Sequence, residues 1–125
     1  METLVHLTPH FTVGELACSH CGRSDVTHEL LRVLEATRVA YARPIIVVSG
    51  YRCPEHEKRV SGAEVETPHQ GWAVDVRAPV GRDLYDLIRA ALASGFLGFG
   101  MGMPAGVKHL HFDVYAKLGP RAWMY

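Results

Sequence analysis

Three short stretches of this chain carry side chains suited to metal chemistry. "TPHQGWAVDV", Thr67 to Val76, places His69 and Asp75 on either side of Gly71. "HLHFD", His109 to Asp113, sets His109, His111 and Asp113 at alternate positions. "CSHC", Cys18 to Cys21, is followed much later by "CPEH", Cys53 to His56. A catalytic zinc takes three ligands from His, Asp or Glu and leaves its fourth position for water. His69, Asp75 and His111 make such a set. Fully extended, the span from His69 to Asp75 would hold the two ~20 Å apart, whereas bonds to zinc are only ~2 Å long. The chain must fold back between them, and Gly71 can take the backbone conformation required.

The cysteines read as C-x2-C and then C-x2-H: Cys18, Cys21, Cys53 and His56. That set suits a closed, structural zinc site. The gap between the two halves is longer than in a zinc finger, so the fold would have to unite them. Two free thiols beside a surface histidine, or a Cys18–Cys21 redox pair, are the other readings. Thiolates that hold a metal would stay reduced, as in cytosol.

The elements that must position these groups follow from periodicity. Residues Thr27 to Ala42 predict a helix with Leu30, Val33, Leu34 and Tyr41 along one stripe, capped by Asp25 or Thr27 and stopped by Pro44. Ile45 to Ser49 predicts a short buried strand. In "WAVDVRA", Trp72, Val74 and Val76 face one way, and Ala73, Asp75 and Arg77 the other. Gly81 to Ser94 predicts a second helix that buries Leu84, Leu87, Ile88 and Ala91. "GFLGFGMGM" reads as a strand and loop, and "KHLHFDVY" as the last strand. Its period of two sets His109, His111, Asp113 and Tyr115 against an apolar face of Leu110, Phe112 and Val114. The lead-in "FTVGELACSHCGRSD" reads as irregular and partly extended. The fold class expected is α+β, with a mainly antiparallel sheet packed against a few helices and a zinc cleft on the sheet's polar face.

The chain has 125 residues, 48% of them hydrophobic and 21% charged, with no formal net charge. This predicts one domain over residues 1–125, divided into a lead-in (1–26) and a catalytic core (27–125). Neutrality argues against nucleic acid as the main partner. No apolar run approaches the ~20 residues of a membrane span, so no membrane insertion is expected. The start lacks a basic segment followed by an apolar one, which predicts synthesis in the cytoplasm without a signal peptide. A monomer is expected.

Taken in order, "SGYR" (Ser49 to Arg52), the stretch from Thr67 to Asp75, and "HLHFD" resemble the zinc D-Ala-D-Ala carboxypeptidase and phage endolysin L-Ala-D-Glu peptidase family. The lead-in resembles its phage-type members. The family's first signature is Ser-x-His-x-x-Gly-x-Ala-x-Asp, matched by Thr67, His69, Gly71, Ala73 and Asp75. The resemblance implies one catalytic zinc on His69, Asp75 and His111, with peptidoglycan stem peptides as substrate. It implies Arg52 as the arginine that binds substrate near the scissile bond, and a site of action at the cell wall, reached after phage-mediated release. His109 is the candidate for proton transfer or oxyanion contact, since a neutral imidazole suits that task near neutral pH. Asp113 is a second option for base, or a group that orients a ligating histidine. A non-catalytic zinc module of the same fold, such as a phage structural component, is the alternative reading.

The chain also departs from the family. Only Gln70 separates His69 from Gly71, one residue fewer than usual, and Thr67 replaces serine. Glu57 stands where many relatives carry asparagine, Ser61 and Gly62 replace a glycine pair, and Lys108 occupies a position that is acidic in several relatives. His6, His10, His20 and His28 read as surface residues. Trp72, Trp123 and Tyr125 read as core or closing contacts, with Trp123 able to line the cleft.

Overall fold

The computed structural model describes residues 5–55, 68–102 and 108–125. His56, Glu57, Ser61, Gly62 and Thr67 therefore lie outside the described residues. The fold is α+β. A hairpin of β1 (His6–Thr8) and β2 (Phe11–Thr12) leads into a short helix α1 (Val13–Leu16) and then the long helix α2 (His28–Tyr41). Strands β3 (Val47–Ser49) and β4 (Ala73–Arg77), helix α3 (Gly81–Ser94), and strands β5 (Gly98–Gly102), β6 (His109–Asp113) and β7 (Arg121–Met124) follow. The five-stranded sheet has the order β3-β4-β6-β5-β7. Every pairing in it is antiparallel except β5 with β7. No helix among the described residues is long and apolar enough to cross a membrane.

Local chemistry sets the helix limits. Thr27 caps α2 by accepting a hydrogen bond from the Leu30 amide at 3.1 Å, and Ala42 ends it in the left-handed conformation. The lead-in is more regular than its sequence suggests. Thr12 and Glu15 form a reciprocal capping box around α1, which satisfies amides that a four-residue helix cannot pair internally.

One face of the sheet is apolar. Val74, Val76, Phe99, Leu110 and Phe112 share a core with Leu30, Val33 and Leu34 of α2 and Leu87 and Ala91 of α3. Each buried Val, Leu or Phe side chain among them contributes ~1.5–3 kcal/mol by leaving water. Phe112 stacks on Phe96 and meets Phe99 edge-on, at centroid distances of 5.2 and 5.4 Å. Arg43, just past α2, bonds Asp83 and Asp86 of α3 and fastens the two helices together.

Two expectations about strands need correction. The segment from Ile45 to Ser49 is not buried on both faces. The core packs against one side of this segment only, so Ile45 is buried while Ile46 and Val48 are about half exposed (50% and 52%). The strand His109–Asp113 is not the last: β7 follows and joins the far edge beside β5.

Candidate metal centre

One cross-strand rung runs through the middle of the sheet's polar face. Ser49 lies opposite Asp75, Asp75 opposite His111, His111 opposite Gly100, and Gly100 opposite Trp123. Facing residues on neighbouring strands lie close enough for their side chains to interact directly. The register alone therefore lines up an aspartate, a histidine and an aromatic ring. His69 comes from outside the sheet. The turn Pro68–Trp72 closes with a bond from the Trp72 amide to the Pro68 carbonyl, and Gly71 inside it has φ +115°. A Cβ on Gly71 would also meet the Asp25 carbonyl oxygen at 2.7 Å.

The turn brings His69 Nε2 to 3.6 Å from Asp75 Oδ2, and His111 Nδ1 lies 3.1 Å from Asp75 Oδ1. One donor atom from each of the three residues falls within 4.8 Å of the other two, and all three residues are buried. Bonds of ~2.1 Å meeting at tetrahedral angles place their donors roughly 3.4 Å apart. The histidine nitrogens approach the two Asp75 oxygens at separations near that value, and the His/Asp/His donor set is of the kind that binds zinc. The one-residue contraction between His69 and Gly71 does not prevent the approach.

Around the triad, charge is balanced closely. His111 Nε2 lies 2.7 Å from Asp113 Oδ2, so both ring nitrogens face carboxylates. Asp113 is fully buried and also accepts two bonds from Arg121 (2.6 and 3.2 Å) and one from the Tyr115 amide. Arg52 reaches Asp75 Oδ2 at 3.2 Å, its Nε bonds Ser49 Oγ, and its amide bonds the His69 carbonyl. Burial pushes the Asp75 carboxyl up. The His111 hydrogen bond and the charges of His69, His111 and Arg52 outweigh burial and hold it below its ordinary value. Burial pushes His111 down, but Asp113 and Asp75 raise it. Burial likewise raises Asp113, and His111, Arg121 and the Tyr115 amide bring it below its usual range. Without metal, the two carboxylates therefore favour the protonated form of the His111 ring over the neutral one.

A depression over the triad is lined by Pro68, His69, His111, Leu118, Arg121, Trp123 and Tyr125. The Trp123 ring lies 5.0 Å from the His111 ring, and the Arg121 guanidinium 5.2 Å from the Trp123 ring. Strand β5 allows this. Its glycines face the site at every second position: Asp113 crosses over Gly98, Trp123 over Gly100, and Tyr125 over Gly102. A Cβ at Gly98 would stand 2.4 Å from Asp113, and one at Gly100 2.7 Å from the indole. Side chains from β7 thus reach β6 across a strand that has none on that face.

His109 shares this face but stands one alternation further along β6, opposite Arg77 and Gly102, with its ring 6.1 Å from that of Tyr125. Its Nδ1 is buried without a hydrogen-bond partner among the described residues. It is not among the residues that line the depression over the triad. Sequence reasoning missed Arg121, and it assigned Trp123 and Tyr125 mainly to closing contacts. The signal was the alternation in "RAWMY", where Arg121, Trp123 and Tyr125 share one side.

The three cysteines also converge. Their sulfurs lie within 4.8 Å of one another, with Cys18 and Cys53 buried and Cys21 exposed. Burial pushes the Cys18 thiol up, but bonds from the amides of Cys53, Cys21 and His20 outweigh it and bring it down to about 7.

A buried His/Asp/His cluster that could hold a metal ion thus lies at the foot of an open depression, on the polar face of an α+β sheet. The family model for peptidase M15 matches residues 9–113, and the chain belongs to that family. Its members are zinc metallopeptidases acting on peptidoglycan. A search of curated proteins finds no match.

Proposed function

We propose that this protein hydrolyses an amide bond in peptidoglycan stem peptides, with His69, Asp75 and His111 as the ligands of one catalytic zinc. The observation that carries the reading is the convergence of His69 Nε2, the Asp75 carboxylate and His111 Nδ1 beneath an open depression, in a chain of this family. Three protein donors leave a coordination position free, as hydrolysis needs. Bound there, zinc supplies a Lewis acid for the scissile carbonyl and lowers the pKa of a water toward ~7.

The remaining roles fall to the chain's own groups. Asp113 holds His111 through Nε2 and so presents Nδ1 to the metal. Its full burial and its bonds to Arg121 and Tyr115 suit it to that task rather than to proton transfer. Arg52, beside Asp75, offers a guanidinium to a substrate carboxylate or to the oxyanion as it develops. His109 is the other histidine on the face of His111, but it stands outside the lining of the depression, so proton transfer by it requires bound substrate to draw its ring toward the triad. Trp123 and Arg121 form one wall against which the stem peptide lies.

Digestion of purified peptidoglycan, with and without a chelator, tests the reading, the released ends being identified by mass spectrometry. Free D-Ala identifies a D-Ala-D-Ala carboxypeptidase. A new L-Ala carboxyl end identifies an L-Ala-D-Glu endopeptidase. Stoichiometric zinc on a folded protein with no cleavage of peptidoglycan or muropeptides would refute catalysis and leave a zinc-binding module.

A further inference from the structure

The cysteine cluster stands apart from the catalytic depression. Cys18 and Cys53 pack with Tyr51 in a small cluster separate from the main core. Three sulfurs within 4.8 Å of one another are more than a disulfide can use. The local backbone is shaped around them. The segment after Cys18 doubles back, with the Gly22 amide bonding the Cys18 carbonyl at 2.8 Å and the Cys18 amide bonding the Arg23 carbonyl at 2.7 Å. Gly22, directly after Cys21, has φ +77°, a conformation that glycine takes at little cost. Two backbone amides, those of His20 and Cys53, point at the Cys18 sulfur from 3.4 and 3.5 Å. Amides aimed at sulfur stabilise a thiolate, and the thiolate is the metal-binding form. The His20 ring reaches the same cluster, with Nδ1 3.4 Å from Cys53 Sγ and Nε2 3.9 Å from Glu55 Oε1. An imidazole with one nitrogen on the cluster and the other toward a carboxylate has the arrangement of a ligating histidine.

We infer that Cys18, Cys21 and Cys53 bind a second, structural zinc ion, with the imidazole of His20 as the fourth donor. Thiolates select zinc among the common divalent ions, and four protein donors close the site to water. The sequence pattern points to His56 for the fourth position, but His56 lies outside the described residues, whereas His20 already touches a cysteine sulfur. The ion ties the lead-in to the loop after β3, and Cys53 is next in sequence to Arg52. It therefore fixes the segment whose Arg52 meets Asp75 and whose Arg52 amide bonds His69. Burial alone does little for a helix as short as α1, and a metal staple supplies what a small core lacks.

Metal analysis and cobalt substitution test this independently of any peptidase activity. Protein purified under reducing conditions should hold two zinc ions per chain. Cobalt added to the metal-free protein should give a thiolate-to-metal charge-transfer band. His111→Ala should lose one equivalent of zinc and keep the band. Cys53→Ser should lose the other equivalent and the band. His20→Ala should weaken cobalt binding at the thiolate site and alter its ligand-field spectrum; an unchanged spectrum would overturn the assignment of His20. If Cys53→Ser does not fold, the cobalt titration of the unmodified chain still decides the matter. A zinc content that Cys53→Ser leaves unchanged, no thiolate band, or a Cys18–Cys21 disulfide under reducing purification would overturn the site.

Discussion

Replacing Asp113 by asparagine tests how the buried carboxylate acts on His111. Asp113 is fully buried, meets His111 Nε2 at 2.7 Å and takes two bonds from Arg121. Asparagine keeps the shape but removes the charge and offers only one acceptor oxygen. That oxygen cannot serve His111 and both Arg121 nitrogens as the carboxylate does. Loss of a carboxylate that orients a ligating histidine typically lowers metal affinity by about 10–100-fold, or about 1.4–2.8 kcal/mol. The loss should be greatest at mildly alkaline pH. In the parent protein, Asp113 helps raise His111, so zinc must displace a proton there as the pH falls, and the variant is partly relieved of that competition. Stability should fall as well, because Arg121 loses a buried partner. Breaking a buried pair costs about 3–5 kcal/mol, and the lower end applies because the Arg121 side chain remains 23% exposed. About 3 kcal/mol corresponds to a drop of roughly 10 °C in Tm. Competition against a chromophoric chelator across pH, with thermal unfolding of the metal-free proteins, measures both effects. A lowered Tm with zinc affinity unchanged at every pH would refute the reasoning, since Asp113 would then serve Arg121 alone.

Other consequences can be measured with the same protein. In Gly100→Ala the new methyl meets the Trp123 indole at 2.7 Å, so we expect about 1–3 kcal/mol of destabilisation and a shifted tryptophan emission. An unchanged Tm would show that the ring does not cross β5 as described. Arg52→Lys keeps the charge but loses the two-pronged donor. We expect kcat on muropeptides to fall by roughly 10²-fold with zinc content unchanged, and a kcat within about twofold of the parent would remove Arg52 from the chemistry. Without metal, the raised His111 contributes stability that is complete below its unfolded value of ~6.5 and is lost as pH rises through its higher folded value. The depressed Asp75 and Asp113 contribute stability that is present above ~3.9 and is lost as pH falls through their lower folded values. The Tm of chelated protein should therefore decline on the alkaline side, and zinc should abolish that decline. A metal-free Tm that rises with pH above neutrality would contradict the placement of His111 between two carboxylates.

The sequence by itself determined the two long helices, because their apolar stripes and the Thr27 cap are local signals that the core simply accepts. It also placed His111 and Asp113 on the polar side of one strand, since a period of two needs no partner to be read. Asp75, likewise, was set opposite Val74 and Val76 by alternation alone. What the chain could not show locally was register. Only the pairing of β4 with β6 puts Asp75 directly across from His111, and only the turn at Gly71 returns His69 to them. The strand β7 was overlooked because "RAWM" is short and its pairing with β5 is parallel, which no adjacent turn announces. The glycines of "GFGMG" look like loop residues in one dimension. In three they form a bare strip across which Asp113, Trp123 and Tyr125 lie. The requirement for no side chain at Gly98, Gly100 and Gly102 comes from neighbours that are distant in sequence, and packing of that kind is decided only when the sheet is assembled.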